Sequence, residues 1–388
     1  MLTLVYGGEL YSPNYLGKKD VLITQDKIQD ISDNINVQSD ALQKIDATDK
    51  YVVPGFLDGH VHITGGGGEG GFSTRTPEIN FSDLTTAGIT TVIGCLGTDG
   101  TTRSMKDLIA KARSLTEEGL TAYILSGSYR VPITTLTGDV QDDIVLIPEV
   151  LGVGEIAVSD HRAFLPTLSE LKKLAAEVRV GSMLSGKKGV INVHMGDGKR
   201  LFKDINQLID ETEIPAFHFV VTHGNRTGEI FEEGLEFIKK GGFLDLTTST
   251  VKKFLESGEV KCSKALRYFH ENELSFDNIT FSSDGQGSLP NFDENGNYLG
   301  LKVGGVSSLF REVKEAVLDE KVPFEKALSV ITKNPAKAFG LENKGEIDKG
   351  KAGDLVLLDN NSLEIDTVIS KGKVLIKDKQ LLVKGTFE

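Results

Sequence analysis

The chain has 388 residues, and 43 basic against 56 acidic side chains leave it at −13; with no basic run or aromatic-basic interleaving, this argues against nucleic acid and anionic membrane as partners. The length leaves room for one large α/β barrel and a smaller module. Two cysteines without a pairing pattern, no apolar run near the ~20 residues of a membrane span and no export pattern at the start point to a soluble protein of the reducing cytoplasm.

The opening reads as short strands, Leu2 to Tyr6, Val21 to Gln25 and Ile28 to Ile31, followed by a polar loop from Asn34. The next segment, Val52 to Ile63, reads as a buried strand that delivers His60 and His62 before a glycine turn, Gly65-Gly66-Gly67-Gly68-Glu69. Alternation along a strand points both rings to one side, where a single metal ion could take both. Alone, His-x-His also describes two ordinary surface histidines.

Strand and helix signals then alternate as parallel strands with helical crossovers would. The strands expected are Ile89 to Leu96, Thr121 to Ser126, Glu155 to Ser159, Val190 to His194, Phe217 to His223, Phe243 to Thr248 and Asn278 to Ser283. Helices are expected over Ser104 to Glu118, Ser169 to Met183, Leu201 to Glu211, Val306 to Leu318 and Pro323 to Phe339. With Val52 to Ile63 the strands number eight, the count of a (β/α)8 TIM barrel, whose chemistry sits at the C-terminal strand ends. Ala352 to Asp359, Ile365 to Ser370 and Gly372 to Lys377 are strand-like again. Both termini are therefore expected to form a small β-sandwich-like module over 1–53 and 345–388, flanking a barrel over 54–344.

Polar residues gather at the strand ends. His60 and His62 close the first strand, His194 the fifth, His223 the sixth and Asp284 the eighth. Four histidines and an aspartate at one rim are hard to explain as packing, and imidazole with carboxylate is a usual donor set for zinc. Glu155 interrupts an otherwise apolar fourth strand, which is costly unless a charge partner compensates. His218 falls toward the opposite end of the barrel and reads as structural, His270 as a helix surface residue, and His161 as a loop residue beside the site or simply solvated. Arg162, Arg226 and Glu69 follow the fourth, sixth and first strands, so two carboxylate-binding forks and one acid for an ammonium share one rim.

These motifs resemble the amidohydrolase superfamily. More narrowly, Gly65-Gly66-Gly67-Gly68-Glu69, Ser159-Asp160-His161-Arg162, His194-Met195-Gly196-Asp197, Ser282-Ser283-Asp284-Gly285 and Lys384-Gly385-Thr386-Phe387-Glu388 resemble the isoaspartyl (β-aspartyl) dipeptidase family over essentially the whole length. The resemblance implies two divalent metal ions, zinc being the expected one. His60, His62 and Asp284 would hold one, and His194 and His223 the other. It further implies that Glu69 receives the substrate amine, that Tyr129 polarises the scissile carbonyl, and that Arg162, Arg226 and Ser288 meet substrate carboxylates, with help from Gly67 and Thr98. A homo-oligomer is implied too, with an octamer as one form.

One position departs from that pattern. Familiar members bridge the metals through a carboxylated lysine on the fourth strand, but no lysine occurs here between Lys111 and Lys172. Glu155 stands where that lysine would fall and carries its own, shorter carboxylate; one extra residue in the segment makes a bulge a means of reach. The expectation is a binuclear site bridged by Glu155, in which Asp284 takes a proton from the attacking water and passes it to the leaving amine. Competing readings are a cyclic-amide hydrolase of the dihydroorotase or hydantoinase type, an N-acyl amino acid deacylase, and a barrel scaffold without catalysis.

Overall fold

A computed structural model describes residues 2–388. Eight parallel strands form the central sheet: β1 (Phe56–Val61), β2 (Ile89–Gly94), β3 (Thr121–Ser126), β4 (Val150–Val158), β5 (Val190–Met195), β6 (Phe219–Thr222), β7 (Phe243–Thr247) and β8 (Ile279–Ser282). Neighbours pair in chain order, and Val61 bridges to Gly285, with the His62 amide donating to the Gly285 carbonyl at 2.9 Å, which closes the barrel. Every residue of β1, β2 and β4 is buried. Strands covered on both faces read as near-continuous apolar runs; β4 does so apart from Glu155, which is why that residue stands out, while β1 also buries Asp58 and His60.

The crossover helices begin where the sequence supplies capping boxes. Ser104 accepts from the Asp107 amide before Met105–Glu118, and Thr167 from the Glu170 amide before Leu168–Ser185. Each satisfies backbone donors that would otherwise lie open at a helix start.

The second sheet has nine strands and is mixed. Leu2–Tyr11, Tyr15–Thr24, Lys27–Ser32, Leu42–Asp46 and Lys50–Pro54 come from the N-terminal end; Leu355–Asp359, Ile365–Ser370, Lys373–Lys377 and Gln380–Leu381 come from the C-terminal end. The two ends meet where Lys50–Pro54 runs antiparallel to Leu355–Asp359. Val5, Leu10, Val21, Ile23, Leu355 and Leu357 are among the buried residues of its own small core.

Two expectations need correction. The single strand from Val52 to Ile63 is two: Lys50–Pro54 belongs to the terminal sheet and Phe56–Val61 to the barrel. Gly55 is the joint between them, and a Cβ there would lie 2.2 Å from Thr90 Oγ1, so only glycine lets the chain pass from sheet to sheet. The helix expected over Pro323 to Phe339 is broken into Phe324–Ser329 and Lys333–Phe339. Pro335 lacks an N–H and its ring collides with the carbonyl four residues back, so it is tolerated only in a fresh first turn. The hairpin Ser288–Phe292 with Tyr298–Val303 and the helix Val140–Leu146 were not foreseen.

At the mouth opposite the site, the Lys188 ammonium stands 4.0 Å over the Phe243 ring and donates to the Lys337 carbonyl at 2.7 Å. Burial, and then the neighbouring Lys337 charge, pull its pKa down to about 7. Between that value and the unfolded-chain value of ~10.4 the folded protein binds fewer protons than the unfolded chain, so stability rises with pH across this window. Lys188→Met should therefore be more stable than the parent at pH 7, by about 1–3 kcal/mol once residual exposure is discounted. Urea unfolding should show that advantage shrinking toward pH 10; a pH-independent difference would contradict the assignment.

Candidate metal centre and substrate cavity

Five strands deliver the site. His60 sits in β1 and His62 just past its end; Glu155 lies inside β4; His194 is in β5; His223 follows β6 and Asp284 follows β8. All four histidines and Glu155 are buried. Glu155 gains its reach from the strand itself. Ile191 of β5 pairs with Val153, but Val193 pairs with Ile156, so three steps on β4 oppose two on β5. The extra residue is a bulge at Gly154-Glu155, the device by which strands re-aim a side chain.

The Glu155 carboxylate lies at the centre of the histidines. Its Oε2 is 2.9 Å from His194 Nδ1, 3.3 Å from His60 Nε2 and 3.7 Å from His223 Nε2, and its Oε1 is 3.6 Å from His62 Nε2. Asp284 Oδ1 is 3.1 Å from His62 Nε2, sealed from solvent and without a hydrogen-bond donor. Two donor sets thus share Glu155: His60, His62 and Cys95 with it on one side, His194 and His223 on the other. Within each set the ligand atoms lie within 4.8 Å of one another.

The outer ring nitrogens fix which atoms face inward. Nδ1 of His60 meets Asn192 Oδ1 at 3.2 Å, Nδ1 of His62 the Cys95 carbonyl at 3.4 Å, and Nδ1 of His223 Thr247 Oγ1 at 2.8 Å. Each of these rings is left presenting Nε2 to the cluster, the arrangement that orients metal-ligating imidazoles. His194 is turned the other way, with Nε2 at 3.0 Å from Asp160 Oδ2. Four oriented imidazoles, a buried carboxylate among them and an orphaned Asp284 oxygen suit divalent metal ions, and the cluster is a metal-binding one.

Charge follows the same layout. Burial opposes ionisation of Glu155, yet the charges of His60 and His194 and the hydrogen bond from His194 outweigh it and hold the carboxyl well below the usual range. Asp284 is likewise drawn down to about 2, its burial overcome chiefly by His62. Burial, reinforced by the Glu155 charge, pushes the Tyr129 phenol well above 10. Tyr129 is therefore a neutral donor at working pH, and its hydroxyl is 2.9 Å from His194 Nδ1.

A cavity of about 630 Å³ opens over the cluster. Gly67, Glu69, Thr98, Arg162, Arg226 and Ser288 all line it. Thr98 Oγ1 donates to Glu69 Oε1 at 2.8 Å, and Arg162 Nη1 lies 3.4 Å from the same oxygen. Gly67 has φ +67, and a Cβ on it would meet the Thr74 carbonyl at 2.7 Å, so the turn that presents Glu69 requires glycine. The structure brings together every residue proposed from the sequence. His218 is buried, with Nδ1 on the Gly189 carbonyl at 2.6 Å, and keeps a structural role; His161 is exposed at the cavity rim.

Asp160 and Cys95 went unassigned by sequence reasoning. Asp160 accepts from Arg162 Nη2 at 2.8 Å, lies 3.5 Å from Arg226 Nη1 and holds His194, so it ties both arginines to the cluster. Its position two residues before Arg162 was the available signal. Asn192 and Thr247 could have been found by alternation, two residues before His194 and at the end of β7.

A closed parallel barrel whose strand ends carry this cluster defines a class. Residues 51–375 match the amidohydrolase family, and the chain belongs to it. It is similar to the β-aspartyl dipeptidase of the keratin-degrading Fervidobacterium islandicum AW-1, solved in complex with the dipeptide β-Asp-Leu. The two share 47% identity over 98% of each chain, with a TM-score of 0.90. More distant relatives are the dihydroorotase of Ligilactobacillus salivarius, 25% identical over 99% of this chain and 93% of that one, and the 5′-deoxyadenosine deaminase of Methanosphaera stadtmanae, 24% identical over 94% and 91%.

Proposed function

We propose that the protein hydrolyses the β-aspartyl isopeptide bond of isoaspartyl dipeptides. The observation that carries the reading is the pairing of the shared-carboxylate cluster with Glu69 and two arginines in one cavity. A β-linked aspartyl dipeptide offers one free amine and two carboxylates, which Glu69 and the Arg162 and Arg226 forks complement. Divalent metal ions, when bound by His60, His62, His194, His223, Glu155 and Asp284, supply a water ionised near neutral pH and polarise the amide carbonyl.

The chain's own groups do the rest. Asp284, ionised and beside the cluster, accepts the proton of the attacking water as the C–O bond forms and returns it to the nitrogen as the C–N bond breaks. Tyr129 donates to the carbonyl oxygen as negative charge develops there. Asp160 holds Arg162 and Arg226 in place, and Ser288 with the Gly67 backbone completes the carboxylate side.

Zinc is the metal proposed, because imidazole and carboxylate suit it. A homo-oligomer is proposed as well, an octamer being the size the family resemblance carries. Supporting it, Leu146, Val180, Met183 and Leu184 are all exposed on the neighbouring helices Val140–Leu146 and Leu168–Ser185, apolar surface of the kind that interfaces between subunits cover. Two free, buried cysteines suit a reducing cytoplasm. No helix among the described residues is long and apolar enough to cross a membrane. We also propose 1–53 with 345–388 as one module and 54–344 as the other.

The test is a comparison of kcat/KM for β-Asp-Leu, its N-acetylated form and dihydroorotate. β-Asp-Leu should dominate; preference for a blocked amine or a cyclic amide would overturn the substrate assignment. Glu69→Gln should lower kcat/KM on β-Asp-Leu about 10–100-fold, the worth of a charge-assisted hydrogen bond of ~1.5–3 kcal/mol. The same change should leave the rate on the N-acetylated dipeptide nearly unaltered.

A further inference from the structure

Cys95 directly follows β2, and its backbone N–H donates to the Val61 carbonyl at 3.1 Å, which pins it between the two histidines of β1. The side chain is wholly buried. Its Sγ lies 3.5 Å from His60 Nε2, the nitrogen that faces the cluster, and 3.8 Å from Nδ1 of His62, the outer nitrogen of that ring, and it falls within the same close donor set as Glu155. A free cysteine in a core ordinarily behaves as a small hydrophobe. Cys95 does join a buried apolar cluster with Leu57, Ile93 and Leu125, and its Sγ lies 3.8 Å from the Val61 carbonyl, yet the same sulfur also meets two imidazoles.

Cys262 shows the ordinary case. It is also buried, yet its Sγ donates to the Thr247 carbonyl at 3.1 Å and packs beside Asn225, away from the cluster. The spacing at Cys95 fits another role. A tetrahedral ion with bonds of about 2.3 Å to sulfur and 2.0–2.1 Å to nitrogen sets those two atoms ~3.5 Å apart. That is the separation found between Cys95 Sγ and His60 Nε2.

We propose that Cys95 is a thiolate ligand of the metal held by His60 and His62, making this half of the centre a mixed nitrogen, oxygen and sulfur site. The inference rests on the metal-centre reading above. Binding replaces the S–H bond with a metal–sulfur bond and releases the proton to solvent, so no oxidant or reductant is needed. A soft sulfur beside two imidazoles biases the site toward zinc and cobalt and away from manganese, which prefers oxygen donors.

Cobalt(II) loaded into the full-length protein is the probe. The wild type should show a near-ultraviolet sulfur-to-cobalt charge-transfer band; Cys95→Ala should lose it and Cys262→Ala should keep it. The ratio of zinc to manganese affinity should fall ~10-fold or more in Cys95→Ala. X-ray absorption of the zinc-loaded wild type provides a check free of any variant, with a sulfur scatterer expected at about 2.3 Å. Bound cobalt without the band, or a band that survives Cys95→Ala, overturns thiolate ligation and leaves the histidine and glutamate ligands standing. Protein that takes up no cobalt or zinc overturns the metal centre itself along with the ligation.

Discussion

Glu155→Gln is expected to lower kcat/KM on the order of 10³-fold or more, about 4 kcal/mol of transition-state stabilisation. It should also cut bound metal by about half. The substitution keeps shape and hydrogen-bonding capacity but removes the one charge that both donor sets share, lying within 3.7 Å of ring nitrogens from all four histidines. Without it, two cations at close range lose the anion that offsets their repulsion. Metal analysis after dialysis and steady-state kinetics on β-Asp-Leu measure both effects. The wild type should be indifferent to removal of carbon dioxide, since its carboxylate is encoded rather than added. A Glu155→Gln protein with full metal content and parental activity would show that Glu155 bridges nothing.

Asp284→Asn is expected to reduce kcat by about 10³–10⁴-fold while metal remains bound. The carboxylate is drawn down to about 2 against the pull of its burial, so it is charged throughout the working pH range. The amide keeps an oxygen for ligation but cannot take a proton from water or return one to the leaving nitrogen. Loss of kcat with unchanged metal content and little change in KM is the pattern for a group acting in the transition state. Wild-type-like kcat in this variant would remove Asp284 from the proton path.

These two variants separate residues that look alike on paper. Both are carboxylates beside histidines, yet Glu155 is reached through a bulge inside a buried strand and Asp284 through a strand end. The strand-end histidines and Asp284 were legible in the sequence because each closes an apolar β-run, and the C-terminal rim of a barrel gathers such ends. Glu155 was legible by its cost, as a charge in a run buried on both faces. Asp160 and Cys95 were not, since neither breaks a pattern: one is an acid in a polar loop, the other an apolar-looking residue after an apolar strand.

The fold divided in a similar way. Short apolar runs identified the eight barrel strands, and the 3.6-residue repeat several of the helices between them, because both follow from local burial. Where one sheet hands over to the next, periodicity is silent. Val52 to Ile63 reads as one strand, and only the packing of Gly55 against Thr90 parts it. The Ser288–Phe292 hairpin escaped notice because one of its strands is half-exposed, the other is almost wholly exposed, and neither carries an alternating core face.

The sequence by itself determined the barrel, the four histidines, Asp284, Glu155 and the acid and arginines of the cavity, all residues whose type is costly or unusual where they stand. Only the tertiary structure decided that one carboxylate serves all four rings, that Asp160 ties both arginines to His194, and that the Cys95 sulfur faces His60 and His62. Those are distances between strands far apart in the chain. They depend on bulges, ring orientations and close backbone approaches that no local pattern records.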